Sequence, residues 1–485
     1  MALNTRTNDR FTGTLPRTDA ETASEAIPDD ATLCVSGFGS VGYPKAVPLA
    51  LAASGRDLEL TIVSAGSAGD EIDTELVEAD AIERRYSFVS RNAIRTAINE
   101  GDVAFSDRNV SSVGDEVQYG RLADPDVAVV EAVAVGEDWF VPSTSIGQTA
   151  AFVEAADRLI VEVNHAQPLE LRDLHDVYRL GKPPEREPIP LTDPDERIGS
   201  PRIEFDPDKL EAVVESDRRD TPYSFRDPTA ADRTIASNFV DFLREEVERS
   251  PVFDERITLQ FGVGSLGNAL MGELTELSSS DRDLVYYGEV VQDGLLDMLD
   301  DDLLSSASAT SLALSEEGQQ QLFDGIERYA EDMVLRPGDV SNSPALVDRF
   351  GVIAVNSAVE IDLYGNVNST HVKGSRLING IGGSGDFNRN AVLSICALPS
   401  TLSDGDISRI VPKTFHVDHT EHDVDIFVTE HGVADIRGCS PLERAELIIE
   451  QCADPSYRDD LREYLEAAAE SSGHVPIDPK RAADW

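Results

Sequence analysis

The sequence predicts an α/β fold of two related open domains with mostly parallel sheets, and three observations carry that expectation. Short apolar runs such as ATLCVSG (31–37), LELTIVSAG (58–66) and DVAVVEAVAV (126–135) alternate with helix-spaced segments such as PKAVPLALAAS (44–54). Strands separated by helices build parallel sheets. The chain has 485 residues, more than one ordinary core holds and enough for two. The texture also repeats. GFGSVG (37–42) and GVGSLG (262–267) each follow an apolar run and precede a helical one, and 91 residues on (37 to 128, 262 to 353) a further apolar strand begins at Ala128 and at Ile353. A matched spacing of this kind points to an ancient duplication.

Along the chain, the first α/β stretch ends near Lys182, where the sequence turns to KPPEREPIPLTDPDERIGSPRIEFDPDK, dense in Pro and charge. It reads as a linker up to about Asp232, with one short helix at DKLEAVVES (208–216). Helix and strand resume at ADRTIASNFVDFLREEVERS (231–250) and RITLQFGVGSLG (256–267), continue to about Cys452, and end in a Glu/Ala-rich helix near DDLREYLEAAAES (459–471). The expected domains are residues 1–220 and 221–485.

Composition excludes several classes. Acids outnumber bases 91 to 41, a formal net charge of −50, and only 6 of the bases are Lys. Such a surface repels nucleic acid and anionic lipid. It is read as adaptation to a saline cytoplasm, since carboxylates repel one another over the long Debye length of dilute salt. A disordered acidic chain is excluded because 41% of residues are apolar and periodic. The polar N-terminus and the lack of any apolar run near ~20 residues predict a soluble cytoplasmic protein with no membrane partner. Cys34, Cys396, Cys439 and Cys452 show no CxxC spacing, which predicts reduced structural thiols.

Chemistry concentrates in three places. Both glycine segments fit G-x-G-x-x-G, which lets phosphate oxygens approach backbone N–H groups at a helix start. A nicotinamide-binding domain adds an acid about 20 residues on, to hold the ribose. In the first half that position falls on Ser64 and Ala65; in the second it falls on Glu289, 22 residues after Gly267 (267 to 289), within YYGEVVQDGLLDMLD (286–300). From pattern alone Glu289 stands between ribose clamp, nucleophile and ordinary strand end. The second place is GIGGSGDF (380–387), where consecutive glycines let N–H groups converge on an oxyanion or phosphate. The third holds His416, His419 and His422 at spacing three. A helical zinc pair has spacing four and DIFVTE (425–430) reads as a strand, so these are taken as hydrogen-bonded loop histidines and no metal is expected. Neither glycine segment is a G-x-S-x-G elbow, which argues against a serine hydrolase.

Together the segments resemble the acetyl-CoA hydrolase/transferase family, most closely its succinyl-CoA:acetate CoA-transferase branch. The resemblance lies in GFGSVGYPKAVP (37–48), VPSTSIGQTA (141–150), GVGSLGNA (262–269), GEVVQD (288–293), INGIGGSGDFNRNA (378–391), IVPKTFHVDHTEHDVD (410–425) and VTEHGVADIRGCSP (428–441). It runs colinearly over nearly the whole chain, and the last four segments are specific. It implies open CoA-transferase domains with Glu289 as a nucleophile that becomes a glutamyl-CoA thioester. The oxyanion hole it implies is the backbone of Val263 or Gly264 together with Gly383. By the same resemblance Phe261, Gly262, Val263, Gly264, Ser265, Asn379, Gly383 and Ser403 line the CoA site, while Asn342 and Glu430 support nucleophile and substrate.

The partners it implies are acyl-CoAs and small carboxylates, with coenzyme A as substrate, no permanently bound cofactor, and a homodimer. Two departures bear on the substrates: NSPA (342–345) stands where relatives commonly have N-H-P-E, and the loop TLSDGDIS (401–408) lacks a Lys that relatives often carry there, which bears on CoA-phosphate contacts at Ser403. An acyl-CoA hydrolase on the same fold is the nearest alternative. A nicotinamide dehydrogenase is the reading the doubled glycine motif supports without the other segments.

Overall fold

Val127–Val135 is buried at all nine positions, as a strand covered on both faces must be. It pairs in parallel with Arg158–Asn164 on one side and Thr32–Val35 on the other. The computed structural model to which it belongs describes residues 9–274, 282–470, 473–483 and 485. It divides into two units. The first contains the chain up to Tyr223, with Glu289–Val291 and Ala307–Ser343; the second contains Ser224–Gly288, Gln292–Ser306 and the chain from Pro344 onward.

Across the sheet of the first unit the strands run Arg17–Thr18, Leu210–Ser216, Arg158–Asn164, Val127–Val135, Thr32–Val35, Leu60–Val63, Ile82–Tyr86, Ala104–Ser106. All neighbours on this path are parallel. Trp139–Pro142 folds back antiparallel on Val127–Val135. The expected helix at DKLEAVVES is instead the strand Leu210–Ser216. Its Ala212, Val213 and Val214 are buried, and pairing with Arg158–Asn164 overrides the helical reading of a short mixed run. The Pro-rich stretch read as a linker is likewise part of this unit, because Ile203–Glu204 pairs with Trp139–Pro142 and Asp220 is buried.

Two carboxylates sit side by side on the central strands, Glu131 opposite Glu162, and each has its own partners. Both Glu162 oxygens accept from the N–H groups of Lys45 and Ala46 at 2.9–3.0 Å, and Val47 adds a bond of 3.2 Å. Glu162 thereby caps the helix Ala46–Ala53. Glu131 accepts from Lys45 Nζ at 2.6 Å, Ser143 Oγ at 2.6 Å and Asn164 Nδ2 at 2.8 Å, and Lys45 reaches Asp220 at 2.8 Å. The helix start behind GFGSVG is therefore filled by a protein carboxylate, and the N–H groups a phosphate would use there are spent.

In the second unit the strands Ile426–Thr429, Leu393–Ala397, Val352–Asn356, Arg256–Phe261 and Asp283–Tyr287 lie in that order, all parallel. The first unit places Leu210–Ser216, Arg158–Asn164, Val127–Val135, Thr32–Val35 and Leu60–Val63 in the same succession. Each central strand carries its matched residue, Ala128 or Ile353, so the repeated spacing corresponds to a repeated topology. The helix Ala230–Arg249 opens with a reciprocal cap between Thr229 and Asp232, and Pro441–Gln451 and Arg458–Ala469 complete the second core. Cys34, Cys396 and Cys452 are buried and Cys439 half-buried, all as free thiols. Among the described residues no helix is long and apolar enough to cross a membrane.

Candidate active site

The strand Asp283–Tyr287 ends at Gly288, and the chain delivers Glu289 half-buried just beyond that carboxyl end. Val290–Val291 then pairs in parallel with Ser311–Leu312, and the Glu289 carbonyl accepts from Thr310 N at 2.9 Å and Ser311 N at 3.1 Å. The backbone is thus fixed before the side chain is considered. Glu289 Oε1 accepts from Asn342 Nδ2 at 2.7 Å. Asn342 is 0% exposed, and its own Oδ1 accepts from Ser341 Oγ at 2.9 Å.

Asn342 caps the short helix Gly338–Ser341. Gly338 N donates to Gly147 O at 2.7 Å, and Gly147 N donates to Thr310 Oγ1 at 2.9 Å. One closed circuit of bonds within the first unit therefore places both the carboxylate and the amide that holds it. Beside it, Val290 packs in an apolar cluster with Phe38, Ala65, Val110 and Ala313, edged by Tyr223. Tyr223 Oη and Ser311 Oγ donate to Gly39 O and Phe38 O, each at 2.7 Å, pinning the GFGS turn against that cluster. Tyr287, on the strand that leads to Glu289, packs edge-on against Phe350 at 5.0 Å.

In the second unit, Phe261 is 2% exposed and meets Phe239 edge-on at 6.2 Å. Its ring is core, and only its backbone is left to line a site. Gly262 N donates to Val355 O at 3.0 Å. Gly264 adopts φ +143°, a region open to glycine, and its N–H donates to Gln292 Oε1 at 2.9 Å. The N–H of Gly264 is therefore committed to the protein. The neighbouring Val263 N–H has no acceptor among the described residues, and the residue is 44% exposed. Ser265 opens the helix Ser265–Glu273 and accepts from Arg226 N at 3.0 Å.

Gly383 precedes the helix Ser384–Asn388, and its N–H likewise has no acceptor among the described residues. Ser384 Oγ donates to Ile381 O at 2.8 Å and lies 3.1 Å from His419 Nε2. Burial holds the His419 imidazole below its usual range, so the neutral ring serves as a fixed hydrogen-bonding post for this turn. Asn379 Oδ1 is buried without a partner among the described residues, an acceptor that a ligand N–H or O–H would satisfy. An amide relay of Gln260, Asn356 and Asn388, with bonds of 2.7–3.2 Å, ties the base of the glycine turns together.

Glu430 accepts from Ser400 N at 2.8 Å and Ser400 Oγ at 2.6 Å. Ser403 stands exposed, with φ +54°, between the hairpin strands Thr401–Leu402 and Ile407–Ser408. Of the other two histidines, His416 bonds Asp418 at 3.0 Å and His422 lies exposed beside Glu421. Among the described residues no three His, Cys, Asp or Glu side chains are grouped to hold a metal. Sequence reasoning missed Gln292 and Gln260. Their only signal is a polar residue at the end of an apolar run, and Gln292 is written in the same GEVVQD segment as Glu289.

Residues 11–215 match the model for the acetyl-CoA hydrolase/transferase N-terminal domain, and residues 318–465 match that for the C-terminal domain. The chain is 42% identical over 472 residues to a succinyl-CoA:acetate CoA-transferase of Clostridium kluyveri, covering 96% of this chain and 87% of that protein. It is 38% identical over 490 residues to an acetyl-CoA hydrolase of Schizosaccharomyces pombe, covering 94% of each. The crystal structure of RipA from Yersinia pestis shares the fold, with a TM-score of 0.71 at 22% identity over 94% of this chain and 97% of that one.

Proposed function

This chain belongs to the acetyl-CoA hydrolase/transferase family, and from that premise we propose that it is a CoA-transferase working through a glutamyl-CoA thioester on Glu289. It moves CoA between short-chain acyl-CoAs and carboxylates of the succinyl-CoA and acetate type. The observation that carries this reading is the Glu289 carboxylate itself: half-buried, oriented by buried Asn342, and beside the apolar cluster around Val290.

The chemistry follows from that setting. A Glu289 oxygen attacks the thioester carbonyl, the C–S bond breaks, and CoA leaves as a thiolate from an acyl-glutamyl anhydride. The thiolate then attacks the Glu289 carbonyl of the anhydride, releasing the acyl group as a carboxylate and leaving CoA on Glu289. An acceptor carboxylate reverses both steps. Thioester is exchanged for thioester, so no ATP is consumed, and the kinetics are ping-pong.

Apolar neighbours favour the carboxylate as nucleophile by limiting its hydration, and they keep water from the anhydride. We assign the oxyanion donors to the N–H groups of Val263 and Gly383, each such donor being worth about 3 kcal/mol. That neither has an acceptor among the described residues supports the assignment, as the Asn379 Oδ1, without a partner among them, supports CoA contact in the same region. Coenzyme A enters as substrate. We place the protein in a saline cytoplasm on the strength of its charge, and as a homodimer by family resemblance.

The covalent step is tested by intact-mass spectrometry after incubation with succinyl-CoA and no acceptor. An adduct of CoA less water on Glu289, absent in Glu289→Gln, is expected; an active enzyme whose Glu289 stays unmodified overturns the mechanism. The hydrolase named for the S. pombe relative is the second reading, in which water opens the thioester. Free CoA thiol measured with and without acetate separates the two: a transferase keeps CoA on Glu289 or passes it to acetate as acetyl-CoA, so fast, steady release of free thiol without acceptor selects the hydrolase.

A further inference from the structure

Gln292 is 0% exposed and belongs to none of the groups so far given a chemical role. We infer that Gln292 is a positioning residue for the G-V-G turn, whose side-chain amide selects the N–H of Val263 over that of Gly264 as oxyanion donor. This rests on the transferase reading above.

Its amide makes two bonds of opposite polarity to one turn: Oε1 accepts from Gly264 N at 2.9 Å, and Nε2 donates to Gly262 O at 3.4 Å. Val263 is bracketed between them, and its N–H is the one in the turn without an acceptor among the described residues. Gly264 is held at φ +143°, a conformation that a free loop has little reason to keep and that its bond to Gln292 stabilises.

The fit leaves little latitude. A Cβ at Gly267 would stand 2.6 Å from Gly262 O and 3.6 Å from Gln292 Nε2, so the helix behind the turn closes on the same two atoms. Only a side chain of this length carrying both an acceptor and a donor satisfies the two backbone groups together. Ala satisfies neither, Asn is one carbon short, and an ionised Glu turns a second acceptor toward the Gly262 carbonyl. A protonated Glu, with one O–H and one C=O, reproduces the pair.

That last point gives a test which a purely structural role would not pass. Gln292→Ala and Gln292→Glu are compared with the parent enzyme by steady-state kinetics across pH 5–8 and by intact mass after incubation with succinyl-CoA. For Gln292→Ala the expectation is a fall in kcat of about 100-fold, the scale of a misplaced catalytic group, with KM little changed and the Glu289 adduct forming slowly but to completion. For Gln292→Glu, kcat relative to the parent is expected to be near unity at the acid end. It then falls as pH rises and the buried carboxyl ionises.

Equal kcat in all three proteins overturns the inference, and so does a loss in Gln292→Glu that is the same at every pH. An absent adduct in the parent enzyme is a separate result, which removes the transferase mechanism itself. If Gln292→Ala fails to fold, the pH profile of Gln292→Glu decides the question alone.

Discussion

Asn342 donates to Glu289 across 2.7 Å from a side chain with no exposure at all. An amide so placed cannot be replaced by water without a cavity opening, and its carbonyl is itself held by Ser341 Oγ at 2.9 Å. The direction of the Glu289 carboxylate is therefore set by the first unit before any substrate arrives. Glu430, which the family resemblance pairs with Asn342 as a support, is held by Ser400 within the second unit.

Asn342→Ala should lower kcat roughly 10- to 100-fold, since a hydrogen bond to a charged group contributes about 1.5–3 kcal/mol. Asn342→Asp should do something different. A second carboxylate at 2.7 Å raises the pKa of the pair, so the ionised form of Glu289 is lost at a higher pH and the acid limb of the kcat profile moves upward. A loss of activity in the Asp variant with an unmoved acid limb would argue against this contact being part of the working site.

Much of this was legible in sequence, and the gaps have physical causes. The mostly parallel α/β sheets follow from alternating apolar runs, and Glu289 stands out because a charge at the end of LVYY (284–287) contradicts its surroundings. The strand Leu210–Ser216 does not, because a seven-residue run with buried Ala212, Val213 and Val214 fits either period until its neighbour is known. Nor does the difference between the two glycine motifs. It depends on Glu162, which lies 117 residues from Lys45 in sequence and spends the N–H groups that the motif advertises. The commitment of Gly264 to Gln292 is likewise a long-range fact, 28 residues apart.

Glu162→Gln tests that capping. The amide keeps one acceptor but aims an NH2 group at backbone donors, so a charge-assisted bond is lost and one N–H is left facing another. About 1–3 kcal/mol of stability should disappear, read as a fall in Tm of about 2–4 °C per kcal/mol. Glu162→Ala should cost more, because Lys45, Ala46 and Val47 then all lose their acceptor. An unchanged Tm in both variants would mean that water replaces the carboxylate at no cost.

His175 gives the first unit an acid-sensitive element. It is buried, its Nε2 meets Ser143 O at 2.9 Å, and burial pushes its pKa down to about 4. A folded value below the unfolded one, near 6.5, means that the unfolded chain binds the extra proton first. The stabilising contribution is then complete above about pH 6.5 and lost as pH falls toward 4. His175→Gln keeps a donor for Ser143 without the titration. Denaturant unfolding at pH 7 and pH 4.5 should show the parent losing roughly 2 kcal/mol more than the variant; parallel losses would exclude His175 as the sensor.

Salt dependence tests the reading of the whole surface. With 91 acids against 41 bases, the folded chain confines like charges that the unfolded chain spreads out, so screening should favour folding. The Debye length falls from about 10 Å at 0.1 M to about 3 Å at 1 M. The repulsion relieved lies among exposed carboxylates, whereas the buried Lys45, Glu131 and Asp220 cluster is screened by neither water nor salt. Tm should therefore climb by at least several degrees between 0.1 and 2 M KCl. The increment should be the same in Lys45→Met, whose baseline is lower because two buried carboxylates have lost their cation. A Tm flat in salt would remove the case for a saline cytoplasm. A salt increment abolished by Lys45→Met would move its origin from the surface to the core.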